Sequence, residues 1–159
     1  MFIAICCVIF ILMIPLAIIG YRKQKQNHQK ITQDLVSASR KPVLLKIPDA
    51  IYYGLASRGS LQPHQILSIL VMNEDKLFLV VPPVGLMSKI ELTIKLSTIR
   101  KLVLTNKFVY PLTRYPKLLV ITFHQAGVED QLALSSPDLD HTITLLEKQT
   151  GLTVVREKD

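Results

Sequence analysis

Cysteine is confined to one place. Cys6 and Cys7 stand side by side near the start of the chain, and nothing after them is cysteine. From there on a disulfide framework and a thiolate metal site are excluded. The lack of cysteine also suits a reducing compartment. Glycine is scarce: the six glycines form no G-x-G-x-x-G and no phosphate-cradling loop. The four histidines (His28, His64, His124 and His141) stand apart from one another, and no carboxylate joins them in a metal-ligand spacing. Each reads as an ordinary surface or cap-region histidine. Aromatics are few beside the basic residues, which tells against a nucleic-acid partner. These absences leave no catalytic, metal or cofactor inventory. The expectation is a protein that is not an enzyme and carries no cofactor.

What the chain does have begins at its first residue. MFIAICCVIFILMIPLAIIG, residues 1–20, holds no charge, amide or hydroxyl after Met1. A bilayer core is about 30 Å thick and a helix rises about 1.5 Å per residue, so the run is long enough to span it. Only Met1 precedes the run, and Ala17-Ile18-Ile19-Gly20 offers no small-x-small cleavage pair. The expectation is an uncleaved transmembrane anchor over 1–20, kinked at Pro15. Cys6 and Cys7 read as small apolar residues in it, with acylation as the alternative.

Net charge is +7, and it is unevenly spread. Arg22, Lys23, Lys25 and Lys30 follow the apolar run with no acid among them. Positive charge stays in the cytoplasm, so the expected placement is N-terminus outside and C-terminal domain cytoplasmic. Lys89, Lys95, Arg100, Lys101, Lys107, Arg114 and Lys117 form a second basic stretch with Glu91 as its one acid, whereas the tail from Val128 is net acidic. The candidate contacts to a membrane surface or anionic lipid are Arg22, Lys23, Lys25, Lys30, Lys95, Arg100, Lys101 and Lys107. The bland alternative for the second stretch is a set of solvated edges and loops, where lysine deters strand pairing.

Residues 21–41 form a polar juxtamembrane stalk, expected to be partly helical. Ile31, Leu35 and Val36 share one helical side, which fits either packing against something or a solvated spacer. A domain follows over 42–155, with a tail at 156–159. Val43–Ile47 and Ala50–Ser57 read as two short strands parted by Pro48-Asp49. QILSILVM and LFLVV around Asn73-Glu74-Asp75-Lys76 read as a hairpin. Ile90, Leu92, Ile94 and Leu96 alternate with polar residues as a half-buried strand, and the phase slips at Ser97-Thr98 as a turn or bulge. KLLVITF and the return from Val128 make a closing hairpin. Ser136 is the expected cap of a helix over Pro137–Thr150, with Leu139, Ile143 and Leu146 as its apolar stripe and Gly151 as its stop.

This order resembles the pleckstrin-homology-like (PH-like) superfold, and most of all its GRAM and bacterial PH-like members. The hairpin ILVMNEDKLFLVV, the turn Leu96–Leu102, and the run LLVITFHQAGVEDQLALSSPDLDHTITLLEK carry the likeness, which covers about residues 42–152. The resemblance implies an α+β, mainly β domain: about seven antiparallel strands in a partly open barrel, plugged by one C-terminal amphipathic helix. It also implies an adaptor. Some such domains bind phosphoinositides through bases in the first hairpin loop. Arg58 and His64 alone stand in that loop here, so no lipid-binding residue is carried over. The reading is a single-pass membrane protein that displays an interaction module to a protein partner or membrane complex. The alternatives are a module sensing anionic lipid and an exported domain of an envelope assembly.

Overall fold

The computed structural model describes residues 22, 26–37, 39, 41–56, 66–83, 88–106 and 115–157. Helix α1 covers 26–37. The strands that follow are β1 (Val43–Leu55), β2 (Ile66–Asn73), β3 (Lys76–Val81), β4 (Ile90–Lys95), β5 (Ile99–Thr105), β6 (Leu118–Gln125) and β7 (Val128–Ser135). Helix α2 (Leu139–Thr150) and the short β8 (Val155–Arg156) complete the chain. All the strands belong to one sheet, in the order β4-β3-β2-β1-β7-β6-β5-β8.

That architecture corrects the sequence pattern in several places. The PH-like resemblance implies about seven antiparallel strands in a partly open barrel. Among the described residues the structure has eight strands in one mixed sheet, and β8 pairs in parallel with β5. Pro48-Asp49 does not end a strand. The register of β1 against β2 shifts between Ile47 and Ala50, so the proline sits in a bulge inside one strand of 13 residues. The bulge resets the phase: Leu45 and Ile47 face the core before it, Ala50 and Tyr52 after it. A second shift at Tyr52/Gly54, where Gly54 has φ 131°, brings Leu55 inward. A proline is tolerated at such a bulge because the ladder needs no donor there.

A single-pass placement is also corrected. Among the described residues no helix is long and apolar enough to cross a membrane. The run 1–20 lies outside the described residues. A transmembrane anchor, and the outside-to-cytoplasm orientation built on it, therefore have no support in the structure. The stalk helix is a packed element. His28 and Thr32 on α1 are buried, and the Thr32 hydroxyl donates to the His28 carbonyl at 2.6 Å. The His28 ring lies 3.4 Å from the Pro48 carbonyl. Just past the helix, the Ser39 carbonyl accepts from Asn73 Nδ2 at 3.2 Å.

β4 and β5 lie towards opposite ends of the strand order, yet a three-residue 3-10 turn, Leu96–Thr98, connects them. Three residues reach about 10 Å, so the sheet curls until its two ends approach each other around the core. The Leu96 amide donates to the Asp75 carbonyl at 2.7 Å and pins this turn to the β2–β3 turn. Inside the curl lie Leu70, Met72, Leu77, Leu79, Ile94, Leu102, Ile121 and Leu132, joined by Leu139, Ile143 and Leu146 of α2. Burying a side chain of this kind contributes about 1.5–3 kcal/mol, so α2 is part of the core. A smaller cluster on the opposite face gathers Ile51, Tyr53, Leu118, Val120 and Ala133.

α2 starts two residues later than the Ser-Pro signal predicts. Its N-cap is Asp138, with no side-chain cap bond. Ser136 is buried and its Oγ has no partner, so it does not cap the helix. The chain is still extended at Ser135, and the Asp138 carbonyl accepts from the Thr142 amide and hydroxyl instead. The C-terminal end follows the expectation: Gly151 is left-handed at φ 71°, and its amide donates to the Glu147 carbonyl.

Candidate functional site

Two features meet along β4. One is its free edge. Among the described residues no strand pairs with β4 on the side away from β3. The Leu96-to-Asp75 hydrogen bond continues the β3–β4 register, in which Lys76 faces Lys95 and Leu77 faces Ile94. In an antiparallel ladder, bonded and non-bonded pairs alternate. Ile94, Leu92 and Ile90 are thus in phase with Leu96 and turn their backbone groups to β3. Glu91, Thr93 and Lys95 turn theirs to the open side. The Lys95 carbonyl is taken by the Thr98 hydroxyl at 2.8 Å, which leaves Glu91 and Thr93 as the pairing positions.

Two hollows flank this edge. The larger, about 320 Å³, lies between α1 and the outer face of β3 and β4. Ile31 and Leu35 form its helical wall and Phe78 and Val80 its apolar sheet wall, and Leu92, from the core side of β4, also lines it. Lys89 and Glu91, at its rim, form an ion pair. The smaller, about 240 Å³, lies where the end of β4 meets the tip of the β6–β7 hairpin. Lys76, Thr93, Lys95, Thr98, His124 and Gln125 line it, with Ile94 and Ala126. The hairpin tip is a tight turn with Ala126 at φ 52° and Gly127 at φ 81°.

The smaller hollow brings two lysines together. Lys76 and Lys95 are cross-strand partners, and like charges directly opposite each other are unfavourable. Three of the acids near them are engaged with other side chains, and Glu74 is exposed in the β2–β3 turn. Asp75 pairs with Lys41, Glu91 with Lys89, and Glu129 with His124 at 3.2 Å. The bond to Asp75 holds the exposed Lys41 ammonium above its usual pKa, with Glu74 adding to the effect. Among the described residues no carboxylate lines the hollow.

Of the eight bases singled out in the sequence, the structure brings one, Lys95, to this site. Arg22 and Lys30 are exposed at or on α1, and Arg100 and Lys101 are exposed on β5, where a bulge at Ile99/Lys101 leaves both outside the core. Lys23, Lys25 and Lys107 lie outside the described residues. Sequence reasoning missed Lys76, Thr93, Gln125 and the position of His124. The signal that finds Lys76 is the register across β3 and β4, and the length of the connection over 82–89 hides it. Among the described residues no cluster of His, Cys, Asp and Glu could hold a metal ion.

No family model and no curated protein matches the chain. Among solved structures it is similar to the hSac2 domain from human phosphoinositide phosphatase Sac2, with a TM-score of 0.57 and 11% identity over 83% of this chain and 91% of that one. At that identity the likeness is one of fold alone.

Proposed function

We propose that the chain is a non-catalytic interaction module of the PH-like type, which docks a protein partner as an extended segment along β4. The observation that carries this reading is the open edge at Glu91 and Thr93 beside an apolar hollow. Main-chain bonds to an edge supply affinity, and a neighbouring pocket for alternate side chains supplies specificity. Ile90 and Leu92 are only partly buried at the rim of the core, so an added strand would cover apolar surface as well as pair its backbone.

The test uses proline. Thr93→Pro removes a backbone N–H that points away from β3, and a proline is tolerated on an edge strand in that phase. Partners crosslinked to the full chain in its native host are compared between the parent and Thr93→Pro. The expected result is loss of the partner with little change in unfolding midpoint, and slowed exchange of the Glu91 and Thr93 amides in the parent complex. Undiminished capture, with both amides exchanging as fast as in the free chain, sinks the reading.

A further inference from the structure

We infer that the hollow between the end of β4 and the β6–β7 hairpin binds a dianionic oxyanion of the phosphate-monoester class. The inference does not rest on edge docking, since it concerns side chains rather than the open backbone edge, and Thr93 is the residue common to both. The reasoning starts from charge. Lys76 and Lys95 stand opposite each other with Cβ atoms about 4.5–5.5 Å apart by ladder geometry. Their outward-pointing side chains leave the same face of the sheet. Each has a flexible stem that lets the ammonium swing towards a shared ligand. Neither ammonium has an ion-pair partner among the described residues: Asp75 and Glu91 are bound to Lys41 and Lys89, Glu129 to His124, and Glu74 is exposed in the turn beside Lys76.

An unneutralised lysine pair works against the folded state, and an anion seated between the two ammonium groups reverses the sign of that interaction. Two facing cations favour a dianion over a monoanion. The remaining lining suits oxygen rather than carbon. The Thr93 hydroxyl and the Gln125 amide line the hollow as potential donors, while the Thr98 hydroxyl is committed to the Lys95 carbonyl. The volume of about 240 Å³ admits a phosphate group together with part of whatever carries it. The hollow also sits at the end of the sheet marked by the β2–β3, β4–β5 and β6–β7 connections.

The experiment is calorimetric titration of the full chain with inorganic phosphate, glycerol phosphate and inositol hexakisphosphate, alongside sedimentation with phosphatidylcholine vesicles carrying phosphatidylinositol phosphate. Loss of a charge-assisted bond weakens binding by roughly tenfold or more. That loss is expected in Lys76→Gln and in Lys95→Gln, and not in Arg100→Gln. A second readout covers folding. In phosphate-free buffer Lys76→Gln unfolds at the same temperature as the parent or higher, and phosphate raises the midpoint of the parent only. Variant-sensitive binding of a soluble probe supports the site with a free ligand, and variant-sensitive binding to vesicles alone supports it with a membrane headgroup. Absence of saturable binding to every probe, or binding that survives both lysine substitutions, overturns the inference.

Discussion

Asn73 is the place to test how the site is held. It is 1% exposed, and it ties three parts of the chain together. Its Oδ1 accepts from the amides of Asp75 at 3.0 Å and Lys76 at 2.8 Å, closing the β2–β3 turn. Its Nδ2 donates to the Ser39 carbonyl at 3.2 Å, fastening the chain beyond α1 to the end of β2. Asn73→Ala removes all three bonds. The two turn amides are partly accessible to water, so each loss costs about 0.5–1 kcal/mol, and the buried Ser39 carbonyl left without a donor costs about 1–2 kcal/mol more. The expected total is about 3 kcal/mol. With a urea slope of about 2 kcal/mol/M, the unfolding midpoint falls by about 1.5 M. Asn73→Asp separates the contributions. It keeps an acceptor for the turn, so the Lys76 amide stays slow to exchange, but it sets a carboxylate oxygen against the Ser39 carbonyl, so stability stays down. A loss below about 1 kcal/mol in Asn73→Ala, or unchanged exchange of the Lys76 amide, would refute the account of how Lys76 is positioned.

Three further outcomes follow from the same structure. Leu146, fully buried on α2, should cost about 2–5 kcal/mol when cut to alanine, measured by urea unfolding; an exposed Lys148→Ala serves as the control. Gly151→Ala should cost about 1–2 kcal/mol through its left-handed backbone, since a Cβ there meets nothing within 4 Å; a neutral result would mean the helix stop is relaxed elsewhere. Burial raises the Tyr53 pKa, and its hydroxyl has no hydrogen-bond partner. The neutral phenol therefore belongs to the folded state. Its contribution is complete below the unfolded value of about 10 and is lost as pH rises through the folded value. Tyr53→Phe should fold at least as stably as the parent and flatten that alkaline loss, read as midpoint against pH.

The parts of the fold that were legible in the sequence are those fixed by a local period. Ile90, Leu92 and Ile94 alternate because one face of β4 is buried, and Leu139, Ile143 and Leu146 recur because one stripe of α2 meets the sheet. The β2–β3 hairpin and the Gly151 stop were equally local. What stayed hidden depends on partners far along the chain. Pro48 looks like the end of a strand until β2 supplies the pairing that spans its bulge. Ser136 looks like a cap until β7 holds the backbone beside it extended. The 1–20 run reads as an anchor by length and hydropathy alone, and nothing among the described residues supports a membrane crossing. The facing of Lys76 and Lys95 follows from a register that runs through the connection over 82–89, which no local rule determines.

β1 is hydrogen-bonded to β2 along most of its length and to β7 over its last third. One strand thus belongs to both halves of the sheet, and the two bulges let it turn from one to the other. Ile51 is held by Leu67 on one side and by Ser135, from near the far end of the chain, on the other. Neither half can complete its ladder without it. The domain therefore has no natural cut: a fragment ending before β7 leaves β1 with a raw edge, and a fragment starting after it leaves β7 with another. Contacts so distant in sequence are closed late and slowly, so a nascent chain presents the unfinished edge of β1 until the closing hairpin has emerged.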